Sequence, residues 1–399
     1  MQKFARAVLG NNNVDCCARV CHGPSVAGLQ VTLGNGAMSN SIADIEHSGC
    51  LLVFGYNCAD SHPIVARRVI KAKENGAEII VCDPRKIETA KIATQYLPLR
   101  NGTNMALVNA FAYTLIDENL YDKDYVSRFT EGFEEYKKAV QDYSPEVVQD
   151  ITGIPASQIR QAMRTYARAK TATIMWGMGV TQFGQAVGVD KGLSGLALLT
   201  GNLGKTGVGV APVRGQNNVQ GACDMGVLPN MFPGYQNVTD ENVRRKFAQA
   251  WGIPYESLDP EAGYRITEVP HLAIEGKVKA YYIMGEDPLQ TEADLQLVRN
   301  GFDALEFVVV QDIFMTKTAE QADVILPSTS WGEHGGIFTC ADRGFQRFEK
   351  AIEPQGNVKR DWEIISLLAT EMGYPMSYTD NKEIWDEVRE LCPLFYGVT

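Results

Sequence analysis

The feature that most limits the fold of this chain is a recurrent unit. A short, continuously apolar run stops at a glycine or a polar residue and is followed by a helical pattern. The run LLVF at 51–54 stops at Gly55. The loop YNCADSHP then leads into IVARRVIKAKEN, which Gly76 closes as the residue after a helix C-cap. EIIVC at 78–82 stops at Asp83-Pro84-Arg85, and TIMW at 173–176 runs into GMGVTQFG. KAYYIMGEDP, EFVVVQDIF and ADVILPSTS repeat the unit later. Strands that are apolar at every position are buried on both faces, the condition of a parallel sheet covered by helices. The spacing predicts an α/β chain with two Rossmann-like parallel-sheet units, with strands between 51 and 176 and again between 280 and 326.

Residues 105–169 read as helical packing around the first sheet, with Ser144 as an N-cap and Pro145 at the first helical position. QKFARAVLG reads as an amphipathic helix already under way, with Phe4, Ala5 and Val8 on one face and no capping residue before it. The last residues, CPLFYGVT, follow directly on a helical run. Both ends are expected to be cuts through a longer protein. A length of 399 residues accommodates two or three domains at ~150 residues each.

The net charge is −11, from 37 basic and 48 acidic residues, which opposes a nonspecific grip on nucleic acid. No apolar run reaches the ~18 residues of a membrane span. The N-terminus is too polar for an export signal. With nine cysteines and no such signal, a reducing cytoplasm without disulfides is expected.

Ligands of open α/β sheets bind outside the carboxyl ends of the strands. Those ends carry Asn57, Asp60, Asp83, Arg85, Met178, Gln182, Glu286, Asp287, Gln311 and Asp312. Any one of them could simply fill a loop; as a set of carboxylates and amides they suit the diols and base edge of a nucleotide. Two patterns mislead. GNLGKTG lacks the first glycine of a phosphate loop, since position 199 is Leu199, and it follows a helical pattern instead of a strand. Gly177-Met178-Gly179 has its next glycine only at Gly184, too far on for a dinucleotide fingerprint.

VRGQNNVQGACDMG, residues 213–226, combines Arg214 with four amide side chains and three glycines. The bland reading is a solvated loop. The alternative is a pocket wall of amides and backbone in which the planar Arg214 guanidinium meets a small carboxylate. The other candidate is DCCARVCHG. Duplicated zinc pairs and iron–sulfur spacings are missing, and the adjacent Cys16 and Cys17 cannot readily share a metal. Cys21 stands before His22 and Gly23-Pro24, where a small-residue helix begins. The bland reading is a buried, inert cysteine; the alternative, favoured by the neighbouring glycine and proline, is an exposed thiol, largely thiolate, beside an imidazole.

Taken together, ARVCHGPSVAGL, FGYNCADSHP, VCDPRKIETA, WGMGVTQF, TGNLGKTGVGVAPVRGQNNVQGACDMG, MGEDPLQ and QDIFMTKTAEQADVILPSTSWGEHGG resemble the molybdopterin oxidoreductase superfamily, and within it the formate dehydrogenases, over essentially the whole chain. The resemblance implies molybdenum (or tungsten) held by two molybdopterin guanine dinucleotides, with Cys21 as the protein's metal ligand where the best-known member has selenocysteine. It implies formate as substrate, His22 as proton acceptor and Arg214 as the residue that orients the carboxylate. Phe54, Gly55, Asn57, Asp60, Cys82, Asp83, Arg85 and Gly102 would serve one cofactor. Met178, Gly179, Gln182, Gly215, Gln216, Glu286, Gln311 and Asp312 would mostly serve the other. Residues 17–216 would form one cofactor-binding domain, and residues 1–16 with 217–399 a second, incomplete one. The family's N-terminal 4Fe–4S domain and C-terminal cap are not in this sequence, so the chain alone is expected to be inactive. The segment near 330–358 would face the cluster domain, and an electron-transfer subunit would be the partner. A nitrate reductase of the same family, or a noncatalytic nucleotide-binding fragment, is the alternative.

Overall fold

The computed structural model describes residues 1–398. The chain divides into two compact units: Val20–Asn217 with Cys340–Gly344, and Met1–Arg19 with Asn218–Thr339 and Phe345–Thr399.

The first unit is built on five parallel strands: β1 (Cys50–Phe54), β2 (Glu78–Cys82), β3 (Gln95–Leu97), β4 (Ala172–Trp176) and β5 (Gly209–Pro212). Their order is β3-β2-β1-β4-β5. β1 is wholly buried, as its unbroken apolar run requires. Alternate residues point to opposite faces. Leu52 and Phe54 enter one core with Leu29, Phe111 and Leu193, from the helices Gly23–Leu33, Asn104–Asp117 and Ala186–Leu199. Leu51 and Val53 enter a second core with Val65 and Val69 of the helix Pro63–Glu74. The strand order grows outward from β1 in one direction through β2 and in the other through β4. The carboxyl ends of β1 and β4 are therefore the point where connections leave to opposite sides and a crevice opens.

Two glycines close the base of that crevice. Gly55 follows β1 with φ +54°, and a Cβ on it would stand 2.7 Å from the Gly179 carbonyl carbon. The Gly179 amide donates to the Gly55 carbonyl at 3.0 Å. Any side chain at either position would push the two loops apart.

The second unit carries a three-stranded parallel sheet in the order Val324–Pro327, Phe307–Asp312, Ala280–Met284. Its N-terminal segment differs from the amphipathic α-helix expected. Phe4–Val8 forms a wide helical turn in which the Leu9 amide reaches the Phe4 carbonyl at 3.2 Å. Arg6 explains its placement. The guanidinium is buried and donates to Asn12 Oδ1 (2.9 Å) and to the carbonyls of Gly226 (3.1 Å), Leu228 (2.8 Å) and Met231 (2.9 Å). The apolar face packs as well, with Phe4 buried against Ile365, Ala369 and Met376, so the buried Arg6 and the apolar residues both hold the segment.

Gly55→Ala should cost at least about 2 kcal/mol, because a strained φ and a backbone clash add. Gly76, with φ +94° and nothing within 4 Å of its Cβ position, is the control. Gly76→Ala should cost only about 1 kcal/mol. Urea midpoints of the two variants check the order; equal losses would contradict it.

Candidate active site

The crevice at the β1–β4 switch point is a cavity of about 330 Å³. Nine of the residues expected to bind cofactor line it: Gly55, Asn57, Cys82, Asp83, Arg85, Gly102, Met178, Gly179 and Gly215. Asp83, at the end of β2, is a buried carboxylate whose affinity for protons is raised by burial, although the Arg85 backbone amide donates to it at 2.8 Å. Asn57 Nδ2 donates to Asp60 at 2.7 Å, while Asn57 Oδ1 is buried without a partner. Asn104, absent from the sequence reading, donates to the Gly179 carbonyl at 3.0 Å and so fixes the loop after β4.

The remaining expected residues lie elsewhere. The Phe54 ring is in the core against Phe111, with centroids 6.5 Å apart. Gln182 donates to the Val20 carbonyl at 2.9 Å, and Gln216 is exposed. Glu286, Gln311 and Asp312 belong to the second unit. There Gln311 is fully buried and donates to Asp361 at 2.6 Å, and Asp312 accepts from the Ile313 and Phe314 amides at 2.6 and 3.0 Å. Burial, and then Glu292, raise the proton affinity of Glu286.

The thiol lies at the Gly215 end of the cavity. A Cβ on Gly215 would come within 3.2 Å of Cys21 Sγ and 3.4 Å of the Met178 sulfur, a tight contact with both. Cys21 itself is only 1% exposed, which corrects the expectation of an exposed thiol. Glycine and proline beside it do mark the start of the helix Gly23–Leu33, but the loop after β5 covers the cysteine. His22 caps that helix. Arg214, on the loop after β5, donates to the His22 carbonyl at 3.3 Å and the Gly36 carbonyl at 2.5 Å, which sets the guanidinium plane beside the histidine. His62 Nε2 in turn donates to the Arg214 carbonyl at 2.6 Å.

The His22 ring is held by a polar group that sequence reasoning missed. Its Nδ1 lies 3.0 Å from Ser25 Oγ, and Nε2 is buried without a partner. Ser25 Oγ also receives the Trp176 indole N–H at 2.9 Å and lies 3.3 Å from Asp190 Oδ1. Burial first, then the Arg214 charge, hold the imidazole well below its ordinary pKa, against the Val213 backbone, which favours the charged ring. Burial raises the Asp190 carboxyl from 3.8 to about 7, with Ser25, Arg214 and Trp176 opposing.

These residues fit a metal cofactor of one kind. Among the described residues no three His, Cys, Asp or Glu side chains converge as a metal cage. A metal at Cys21 would take its other ligands from a bound group, and a soft thiolate suits a soft, sulfur-ligated metal. The glycine-lined cavity admits such a group, and the partnerless His22 Nε2 and Asn57 Oδ1 need partners to be satisfied.

Asp190 makes a stability prediction. The native carboxyl keeps its proton up to about pH 7, whereas an unfolded one loses it near 3.8. The unfolded state thus binds fewer protons between these values, and stability falls as pH rises through them. The loss is at most roughly 4 kcal/mol. Asp190→Asn should therefore gain stability over the native chain more at about pH 8 than at about pH 5, read from urea midpoints. A difference independent of pH would contradict this.

The family profile described as molybdopterin oxidoreductase matches residues 1–371. Formate dehydrogenase H of Escherichia coli K12 is 66% identical over the whole chain, which spans 56% of that protein. The alpha subunit of a formate dehydrogenase from Methanocaldococcus jannaschii is 45% identical over the whole chain, which spans 59% of it. Among solved structures, acetylene hydratase from Pelobacter acetylenicus superposes with a TM-score of 0.74 at 26% identity, covering 92% of this chain and 52% of its own. No helix of the described residues is long and apolar enough to cross a membrane. The chain belongs to the molybdopterin oxidoreductase family.

Proposed function

We propose that this chain is the catalytic core of a formate dehydrogenase, oxidising formate to carbon dioxide. The observation that supports the reading is that Cys21 lies close to Gly215, which lines the cavity of about 330 Å³, while Arg214 donates to the carbonyl of His22. The names of its relatives support it.

In this reading the first unit, about residues 17–216, holds one molybdopterin guanine dinucleotide in the switch-point cavity. Asp83 accepts from hydroxyl or base N–H donors there, and the glycines admit the pyrophosphate. Residues 1–16 and 217–399 hold a second, with Glu286, Gln311 and Asp312 as contacts. The bound cofactor supplies a molybdenum or tungsten centre able to take two electrons. Cys21 provides the protein's ligand to it. Arg214, its plane fixed by the His22 and Gly36 carbonyls, orients formate by charge-assisted hydrogen bonds. The buried, neutral His22 presents Nε2 as the base that takes the substrate's proton. A 4Fe–4S cluster and an electron-transfer subunit outside this chain would carry the electrons away. None of the nine cysteines among the described residues is in a disulfide, which suits a cytoplasmic setting.

The test is made on the longer protein this chain is expected to belong to, isolated from a cofactor-producing host, scoring metal content and formate-dependent dye reduction. Cys21→Ala should abolish turnover. Arg214→Lys should raise KM for formate by about tenfold or more, since a bidentate charged contact is worth ~1.5–3 kcal/mol. A metal-loaded protein that reduces nitrate and ignores formate would overturn the reading.

A further inference from the structure

Arg214 is held at both its side chain and its backbone. The guanidinium donates to the His22 and Gly36 carbonyls, at 3.3 and 2.5 Å. The Arg214 carbonyl accepts from His62 Nε2 at 2.6 Å. A carbonyl oxygen only accepts, so Nε2 is the donor in this bond. The residue before it is tied to the sheet, since the Val213 amide donates to the Trp176 carbonyl at 3.0 Å. Past that bond the chain leaves the strand, and His62 reaches the Arg214 backbone from a different loop.

The fold goes out of its way to make this contact. His62 follows β1, Arg214 follows β5, and β4 lies between those strands. The segment Tyr56–His62 therefore crosses over the end of β4. Gly177, the first residue after β4, leaves room for the crossing: a Cβ there would stand 2.9 Å from Tyr56 Cδ2. Tyr56 is only 3% exposed and shares one core with Val213. The His62 ring rests on the Tyr56 ring, with centroids 5.6 Å apart. The His62 amide donates to the Cys58 carbonyl, and its carbonyl accepts from the Ala66 amide, both at 2.9 Å. With ring and backbone both fixed, the Nε2 donor is presented in one place. Tyr56, His62 and Gly215, the residue after Arg214, all line the switch-point cavity.

We infer that His62 is a positioning residue for Arg214. By holding the Arg214 carbonyl it sets the point from which the guanidinium reaches a carboxylate. The inference rests on the formate reading for the identity of that carboxylate. Removing the imidazole leaves the guanidinium charge and its two carbonyl partners in place and frees the backbone end. The grip on the carboxylate weakens, and the chemistry that follows binding is affected less. A histidine that only held the fold together would show the reverse pattern, with fewer active molecules and an unchanged KM.

The test uses the longer protein this chain is expected to belong to, loaded with cofactor, with rates expressed per bound metal. In His62→Ala the KM for formate should rise roughly threefold to tenfold while kcat stays within about twofold, the size of one lost hydrogen bond that acts on binding. Two further variants separate the bond from the ring. Glutamine carries an amide N–H close to the place of Nε2, and asparagine carries one close to the place of Nδ1. His62→Gln should bring KM most of the way back to native, and His62→Asn should behave as His62→Ala does. A second readout needs no turnover. Hydrogen–deuterium exchange, followed by mass spectrometry, should be faster over residues 213–217 in the alanine and asparagine variants than in the native and glutamine proteins. An unchanged KM in His62→Ala overturns the inference, as does exchange that is equal in all four proteins, or a glutamine variant no better than the asparagine one. If His62→Ala does not fold, the comparison of glutamine with asparagine decides. A loaded native protein that ignores formate overturns the substrate reading, and the exchange comparison then decides the positioning role by itself.

Discussion

The approach of two backbone loops at the centre of the first sheet is the contact on which the site depends. Gly55 and Gly179 follow neighbouring parallel strands and touch without side chains, with the Gly179 amide bonded to the Gly55 carbonyl. Because the strand order reverses between β1 and β4, connections leave to opposite sides there and a crevice opens outside this contact. The cavity, its polar rim and its approach to Cys21 follow from that. β1 and β4 are buried on both faces, so the loop positions are held by the core.

The price of the site is a set of buried polar groups. Asp190 and His22 would each be more stable in water, and Arg214 is nearly covered. The chain tolerates them because Ser25, Trp176 and backbone carbonyls satisfy most of their hydrogen bonds. Those that remain include His22 Nε2 and Asn57 Oδ1. A network satisfied on one side and open on the other is characteristic of a site that expects a partner.

The central strands were legible because β1, β2 and β4 are unbroken apolar runs, and such runs permit little besides a covered parallel sheet. The strands overlooked, Gln95–Leu97 and Gly209–Pro212, are the two edges. Edge strands can be short and can carry glycine and proline, so their local signal resembles a loop. Cys21, His22 and Arg214 stood out through their unusual neighbours. Asp190 did not, because in AVGVDKGLSGLALL it sits next to Lys191 and looks like half of an ordinary surface pair. Only packing shows the acid turned inward and the lysine outward. The burial of Cys21 was hidden for the same reason, since its cover comes from residues almost two hundred positions later.

The central claim is that Cys21 is the protein's ligand to a metal whose cofactor fills the switch-point cavity. X-ray absorption at the metal edge, on loaded native protein and on loaded Cys21→Ser, tests it without reference to substrate. The account predicts one fewer sulfur neighbour around the metal in the variant, with a lighter atom or nothing in its place. An unchanged sulfur shell in a variant that still carries metal would contradict it.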